Sequence, residues 1–183
     1  AIPLILSAKR PAAALVGLEL QERSFELACR SVALNGLEDR IRILRGDVKD
    51  AMALLGAGRF EAVTANPPYV PRGRGIDAEG SGHALARHEH AATLEEFLSA
   101  AAILLRPKGF LYMIHRPARL ADLITQGRAR GLEPKEIRLV APAPGRPPNL
   151  MLIAFSKGGG NELRFQDTLH VRDGAGAYTK EIE

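Results

Sequence analysis

The stretch "AALVGLELQERSFELACRSVALNGLEDRIRILRGD", residues 13–47, decides the fold class. Its first eight residues are mainly apolar and end near an acidic residue, which is typical of a buried parallel strand. A helical pattern follows and meets a stop signal at Asn35-Gly36. Residues 40–47 alternate charged and branched aliphatic side chains, so they predict a second strand. The apolar positions of the helix are Phe25, Leu27, Ala28, Val32 and Leu34.

The rest of the chain continues the alternation. A short helix is predicted over residues 50–55 and a strand over 60–66. Thr93 can cap a helix over 94–105, and a strand over 110–115 and a helix beginning at Pro117 follow it. Strands over 135–142 and 150–157 have no helix between them, which predicts an antiparallel hairpin at a sheet edge. The sequence thus predicts an α/β fold with a mixed, mostly parallel sheet.

Composition limits the classes of protein to consider. The 183 residues are 46% hydrophobic and 25% charged, with no apolar run long enough to span a bilayer. The single cysteine, Cys29, can form neither an internal disulfide nor a metal site by itself. We therefore expect a cytoplasmic protein. A net charge of +4 is compatible with a polyanionic partner but does not identify one.

The organisation predicted from these patterns is a single domain over residues 1–183. Residues 70–90 have no periodicity and are rich in glycine, arginine and histidine, which predicts a mobile substrate loop. Residues 157–183 are glycine-rich and weakly patterned, and we expect an irregular C-terminal segment there. The chain opens with "AIPLILSAKRP", which has the composition of the second half of an apolar helix ended by Pro11.

Polar side chains follow three predicted strands. Glu19, Asp47 and Asn66 each stand at a strand end, and ligands of open parallel sheets bind beyond the carboxyl ends of the strands. An acidic residue there can accept hydrogen bonds from ribose hydroxyls of a nucleoside cofactor, and Asp47 could hold an adenine amine. Glu19 and Asp47 also have plainer interpretations. Glu19 could be a solvated strand end or a helix cap, and Asp47 could cap a turn.

Asn66-Pro67-Pro68-Tyr69 is the most specific motif in the chain. Two prolines end a sheet ladder and stiffen the backbone, so the motif is either a rigid turn with a surface tyrosine or a fixed set of functional groups. It resembles the motif of class I S-adenosylmethionine-dependent methyltransferases that methylate amines. The resemblance implies that the Asn66 side-chain oxygen and the Pro67 main-chain oxygen accept hydrogen bonds from a substrate amine. It also implies that Tyr69 stacks on the substrate ring.

Flanking segments narrow the resemblance. "ARHEHAATLEEFLSAAAILLRPKGFLYMIHRPARLADLI", "GLEPKEIRLVAP" and "GAYTKEIE" are similar to bacterial methyltransferases that modify adenine N6 in valine tRNA, next to the anticodon. This implies a Rossmann-like class I methyltransferase fold, S-adenosylmethionine as cofactor and tRNA as partner. Ribosomal RNA, DNA adenine or release-factor glutamine remain alternative substrates, and a catalytically silent RNA-binding module remains an alternative function. In such a fold a first strand and a glycine-rich loop precede the position of Ala1, and we expect both to be missing from this chain.

Candidate site residues are predicted at the strand ends and around the presumed mouth of the site. We expect no metal, because His83, His88 and His90 lack recognisable partner ligands. His115 is either a packed strand-end histidine or a substrate contact, and the oligomeric state stays open. The basic residues of the loop at 70–90 could contact phosphate, or they could form a solvated surface without a specific role. The predicted cofactor contacts are Glu19, Leu20, Asp47, Val48 and Asn66, and the predicted substrate contacts are Arg72, Arg74, Arg87, His88 and Arg116.

Overall fold

The computed structural model describes residues 2–67 and 92–182. The chain divides into two compact units, Ala1–Leu54 and Leu55–Glu183. The predicted single domain over 1–183 stays a prediction. No helix within the described ranges is long and apolar enough to cross a membrane. Outside the described residues lie the predicted loop at 70–90 and the predicted site residues Pro68, Tyr69, Arg72, Arg74, Arg87 and His88.

The first unit is built on two parallel strands. Strand β1 (Leu15–Glu19) pairs with β2 (Ile41–Arg45) in a register that runs from Leu15↔Ile41 to Glu19↔Arg45. The connecting helix ends at Leu34 with Asn35 as its C-cap residue, and Gly36 follows with a φ of 61°, which glycine adopts without steric cost. This is the strand, helix and strand that the opening stretch predicts. The elements are α1 (Ile2–Lys9), β1 (Leu15–Glu19), α2 (Glu22–Leu34), β2 (Ile41–Arg45), a 3-10 turn (Val48–Asp50) and α3 (Ala51–Leu55).

The second unit contains a mixed sheet of five strands, which are β3 (Phe60–Ala65), β4 (Leu105–His115), β5 (Leu132–Ala141), β6 (Leu150–Lys157) and β7 (Arg164–His170). Their order in the sheet is β3-β4-β6-β5-β7. Strand β6 is antiparallel to both β4 and β5, whereas β3 pairs with β4, and β5 with β7, in parallel. The elements are β3 (Phe60–Ala65), α4 (Leu94–Leu104), β4 (Leu105–His115), a 3-10 turn (Pro117–Arg119), α5 (Leu120–Arg128), β5 (Leu132–Ala141), β6 (Leu150–Lys157) and β7 (Arg164–His170).

The core of this unit lies between one face of the sheet and helices α4 and α5. Alternate residues of β4 separate the two faces: Leu111 and Met113 are buried, whereas Phe110 and Tyr112, which alternate with them, are partly exposed. This is the period of two expected for a strand covered on one face. The buried cluster joins Leu94, Leu98, Ala101, Leu105, Leu111, Met113, Leu123, Leu132, Ile137, Met151, Ile153 and Phe155.

Helix α4 begins as the sequence predicts. The Thr93 side chain accepts a hydrogen bond from the Glu96 amide, and the Glu96 carboxylate accepts one from the Thr93 amide. This capping box satisfies two amide donors that the first helical turn leaves without intrahelical partners. A cap of this kind typically stabilises a helix by about 1 kcal/mol.

Three predictions about the sheet need correction. The antiparallel pair β5 and β6 exists, but β6 lies between β4 and β5, so the pair is not at the edge. The predicted irregular segment at 157–183 contains strand β7, because residues Arg164–His170 pair with β5. Strand β4 begins at Leu105, earlier than predicted, since Leu105 pairs with Phe60.

Candidate functional site

Glu19 and Asp47 share the carboxyl edge of the two-stranded sheet in the first unit. Glu19 ends β1 opposite Arg45 of β2, and Asp47 follows Arg45 by two residues. The Gly46 amide donates to the Glu19 carbonyl at 3.0 Å, which ties the two strand ends together. The structure therefore shows that Glu19 and Asp47 lie at the same edge of this sheet, while their role in binding a cofactor stays a prediction.

The Glu19 carboxylate takes part in a local hydrogen bond. Its Oε1 accepts from the amide of Gln21, the residue that precedes α2, at 3.0 Å. Gln21 is itself the N-cap residue, so this contact precedes the helix and is not the helix cap that the plainer interpretation expected. Within the described ranges, Oε2 accepts no hydrogen bond. Glu19 is half-buried. Because the contact with Gln21 uses only Oε1, Oε2 can still accept a hydrogen bond from a hydroxyl group.

Asp47 caps the 3-10 turn that follows β2. Its Oδ1 accepts from the Lys49 amide at 3.0 Å, and its Oδ2 lies 3.2 Å from the Lys49 ammonium. The capping interpretation of Asp47 is therefore observed. A carboxylate has about four lone-pair sites, so two contacts leave acceptor capacity for an amine donor. The Asp47 side chain is 19% exposed.

A cavity of about 350 Å³ lies in the first unit. Its walls come from α1, β1, α2 and β2, and they are mainly apolar, with Ser24 and Ser31 among them. Glu19 lines it, whereas Leu20, Asp47 and Val48 do not. The cavity thus has the lining of a helix-sheet interface, and it does not bring the predicted cofactor contacts together.

In the second unit, Asn66 and Pro67 directly follow β3. Asn66 is exposed and Pro67 is fully buried. Proline has a fixed φ and no amide donor, so the β3 ladder ends here and the buried ring anchors the backbone beside Asn66. The pairing of β3 with β4 extends to Ala65 and Met113. The next residues of both strands therefore lie at the carboxyl edge of the sheet, where its parallel strands end. This arrangement holds a side-chain oxygen and a main-chain oxygen at one sheet edge.

His115 and Arg116 lie at the end of β4 on that edge. His115 is 1% exposed, and its Nδ1 accepts from the Arg116 amide at 2.8 Å, which requires an unprotonated Nδ1. Arg116 is exposed, and its Nη1 donates to the Asn149 carbonyl at 3.0 Å. The packed strand-end interpretation of His115 is therefore observed. Arg116, the one predicted substrate contact among the described residues, is oriented towards the residues that precede β6.

The pKa of His115 lies below its ordinary value because burial disfavours the imidazolium, and the Arg119 guanidinium adds repulsion. His115 of the unfolded chain takes up a proton near pH 6.5, whereas His115 of the folded chain takes it up at a lower pH. The free energy of unfolding should therefore be highest above about pH 6.5 and fall below it, by at most about 1.4 kcal/mol per pH unit. Urea titrations on both sides of that pH measure the slope. His115→Asn should flatten it, and an unchanged slope in that variant would contradict the assignment.

One cation–aromatic pair at this edge was not predicted from the sequence. Arg172 lies over the ring of Tyr178, with 4.5 Å between the guanidinium carbon and the ring centroid. The available signal was an arginine and a tyrosine on either side of a glycine-containing turn. Within the described ranges, no group of three histidine, cysteine or acidic residues could hold a metal ion.

Comparison with known proteins supports the sequence interpretation. No protein-family model matches the chain. The tRNA1(Val) (adenine(37)-N6)-methyltransferase of Porphyromonas gingivalis is 29% identical over 184 residues, which are 98% of this chain and 71% of that protein. The protein with the same name in Dickeya chrysanthemi is 27% identical over 172 residues, which are 91% of this chain and 66% of that protein. The predicted resemblance to bacterial methyltransferases that modify adenine N6 in valine tRNA is confirmed, while the role of the Asn66-Pro67-Pro68-Tyr69 motif stays a prediction.

The fold is also shared with solved structures. A protein of Agrobacterium tumefaciens described as a predicted O-methyltransferase superposes with a TM-score of 0.76 and 25% identity. The match covers 98% of this chain and 80% of that one. The described α/β units have the Rossmann-like class I methyltransferase fold, as the sequence predicts.

Proposed function

We propose that this chain transfers a methyl group from S-adenosylmethionine to the exocyclic N6 amine of adenine in tRNA. The observation that carries the proposal is its similarity, over 98% of its length, to a tRNA1(Val) (adenine(37)-N6)-methyltransferase. The position of Asn66 and Pro67 at a strand end supports it, because the motif supplies two oxygen acceptors at an edge of the kind where such sheets bind ligands.

The residues of the first unit fit the nucleoside part of the cofactor. Glu19 has a carboxylate oxygen, Oε2, that accepts no hydrogen bond from described residues and can accept from a ribose hydroxyl. Asp47, held by Lys49, can accept from the adenine amine, with Leu20 and Val48 beside the two carboxylates. When bound, S-adenosylmethionine supplies an electrophilic methyl group on a sulfonium centre.

Asn66 and Pro67 activate the substrate amine. An exocyclic amine conjugated with a ring is a poor nucleophile, because its lone pair is delocalised into the ring. Hydrogen bonds from the two N–H groups to the Asn66 side-chain oxygen and the Pro67 carbonyl orient that lone pair away from the ring. As the new N–C bond formed, the methyl–sulfur bond of the donor would break with its electron pair left on sulfur; both oxygens would stabilise the positive charge that develops on N6, and one N6 proton would then leave to solvent. The buried Pro67 ring reduces the reorganisation needed for this step.

The test is transfer of labelled methyl from S-adenosylmethionine to bulk bacterial tRNA, followed by digestion to nucleosides. Labelled N6-methyladenosine is the expected product. A label on a ribose or other hydroxyl would favour O-methylation instead, in line with the description of the Agrobacterium protein. Label only in protein would favour the glutamine substrate. Binding of tRNA without any affinity for S-adenosylmethionine would favour the silent RNA-binding module.

Glu19→Gln is expected to weaken S-adenosylmethionine binding. The substitution keeps an oxygen for the Gln21 amide but removes the charge that strengthens hydrogen bonds to ribose hydroxyls. Loss of such a charged partner costs about 1.5 kcal/mol, so the dissociation constant should rise about tenfold. Calorimetry measures it, with Glu26→Gln as the control because Glu26 is exposed on α2. Equal affinities for both variants would remove Glu19 from the cofactor site.

A further inference from the structure

Strand β7 carries the chain back to the sheet edge where Asn66 lies. It is parallel to β5, and the backbone pairing continues past its end, since the Val171 amide donates to the Ala141 carbonyl and the Arg172 amide to the Pro142 carbonyl, both at 2.9 Å. Strands β3, β4, β5 and β7 all run in the same direction, so their carboxyl ends share one edge. Four strand spacings separate β3 from β7, or about 19 Å.

Residues 171–179, here called the C-terminal hairpin, form a well-bonded turn at that edge. Arg172 and Tyr178 make an antiparallel bridge. The Asp173 carboxylate accepts from the amides of Ala175 and Ala177 at 2.8 and 3.0 Å. The Thr179 hydroxyl donates to the His170 carbonyl at 2.8 Å. These contacts hold the turn in one conformation before any partner binds, which lowers the entropy lost on binding.

The C-terminal hairpin presents a cation and an aromatic ring to solvent. Arg172 is exposed, Tyr178 is 53% exposed, and one guanidinium nitrogen donates to the Gly176 carbonyl at 2.6 Å. Among the described residues, no acidic side chain pairs with Arg172. The neighbouring Glu181 is paired with Arg138, at 2.9 Å between Oε2 and Nη2, and the Asp173 carboxylate is used inside the turn. The positive charge of Arg172 is therefore available to an anion.

Other exposed cations lie along the same edge. Arg116 stands at the end of β4, Arg146 lies between β5 and β6, and Lys180 follows the C-terminal hairpin. Spaced cations next to an exposed aromatic ring match the chemistry of a nucleic-acid strand, in which phosphates alternate with bases that stack. An acidic peptide would use the cations but not the ring face.

We propose that the C-terminal hairpin binds the RNA strand that flanks the methylated adenine. The Arg172 guanidinium contacts a phosphate, and an unpaired base stacks on the exposed Tyr178 ring. The distance of about 19 Å from β3 corresponds to about five or six stacked nucleotides along one strand. This inference rests on the proposed function, because it assigns a second contact surface for the same tRNA substrate.

The test is binding of the full chain to bulk tRNA at several salt concentrations. Tyr178→Ala should raise the dissociation constant at least about fivefold, while Tyr178→Phe, which keeps the stacking ring, should stay close to the unmodified chain. Arg172→Ala should weaken binding and lower the slope of log affinity against log salt by about 0.7 to 1. Arg164→Ala is the matched control, since Arg164 is exposed at the opposite end of β7.

Binding and methyl transfer are measured on the same variants. Weaker tRNA binding in Arg172→Ala and Tyr178→Ala, with Arg164→Ala unchanged, supports the inference even if no methyl is transferred. Affinities and salt slopes equal to those of the unmodified chain overturn it, even if methyl transfer to tRNA is observed. Thermal unfolding of each variant checks that a changed affinity is not a loss of fold.

Discussion

Asn66→Ala is expected to lower the rate of methyl transfer on the order of 10²- to 10³-fold, the range seen when one preorganised hydrogen-bonding group is removed from a reacting centre. The substitution removes the side-chain acceptor that orients the N6 lone pair and stabilises the charge that develops on nitrogen. Asn66 is exposed at the end of β3, so the fold should be retained. Single-turnover transfer of labelled methyl to saturating tRNA measures the effect on the chemical step.

Two further variants make this experiment specific. Asn66→Asp keeps an acceptor oxygen in the same place and should lose much less activity than Asn66→Ala. Asn161→Ala removes an exposed asparagine between β6 and β7 and should match the unmodified chain. If Asn66→Ala transfers methyl as fast as Asn161→Ala does, Asn66 has no part in the chemistry and the proposed role of the motif is lost.

Phe155→Ala is expected to destabilise the second unit by about 3–5 kcal/mol, the usual cost of removing a buried phenyl ring. Phe155 is 0% exposed on β6, in the centre of the core. Its ring packs closely against α5, because a Cβ built on Gly127 would lie 2.8 Å from the Phe155 Cε1 atom. Typical domains are stable by about 5–15 kcal/mol, so this one substitution removes a large share of the total.

Urea unfolding monitored by circular dichroism measures the change. Phe165→Ala is the matched control, because Phe165 lies on edge strand β7 and is 68% exposed. An exposed position of this kind is expected to change the free energy of unfolding by no more than about 0.5 kcal/mol. Equal effects of the two substitutions would show that Phe155 does not occupy the packed core described above.

Elements with strong local signals were predicted closely. Strand β6 spans Leu150–Lys157, as its apolar run indicates, and α4 begins with the capping box of Thr93 and Glu96. Strand β7 was missed because its sequence, "RFQDTLH", mixes polar and apolar side chains without an alternating pattern. It forms because its backbone pairs with β5, and an edge strand needs less apolar surface than a central one.

The candidate site also combines local features that the sequence predicts with contacts between distant residues that it does not. Strand endings are local features, so Glu19, Asp47 and Asn66 could be found from the residues that precede them. The hydrogen bonds that engage Glu19 and Asp47 are also local, and the plainer interpretation anticipated the capping contact of Asp47. The burial of His115 and the tie between Arg116 and the Asn149 carbonyl depend on residues far along the chain. No periodicity in the sequence reports contacts of that kind.

By itself, the sequence determined the α/β class, the helix and strand periods, and a motif at the end of β3 with two oxygen acceptors. These follow from side-chain patterning and from proline and glycine geometry, which act within a few residues. Only the tertiary structure decided that β6 lies between β4 and β5 and that β7 brings Arg172 and Tyr178 to the edge that holds Asn66. Strand order is set by backbone pairing and core packing between distant segments, and those energies belong to no single segment of the sequence.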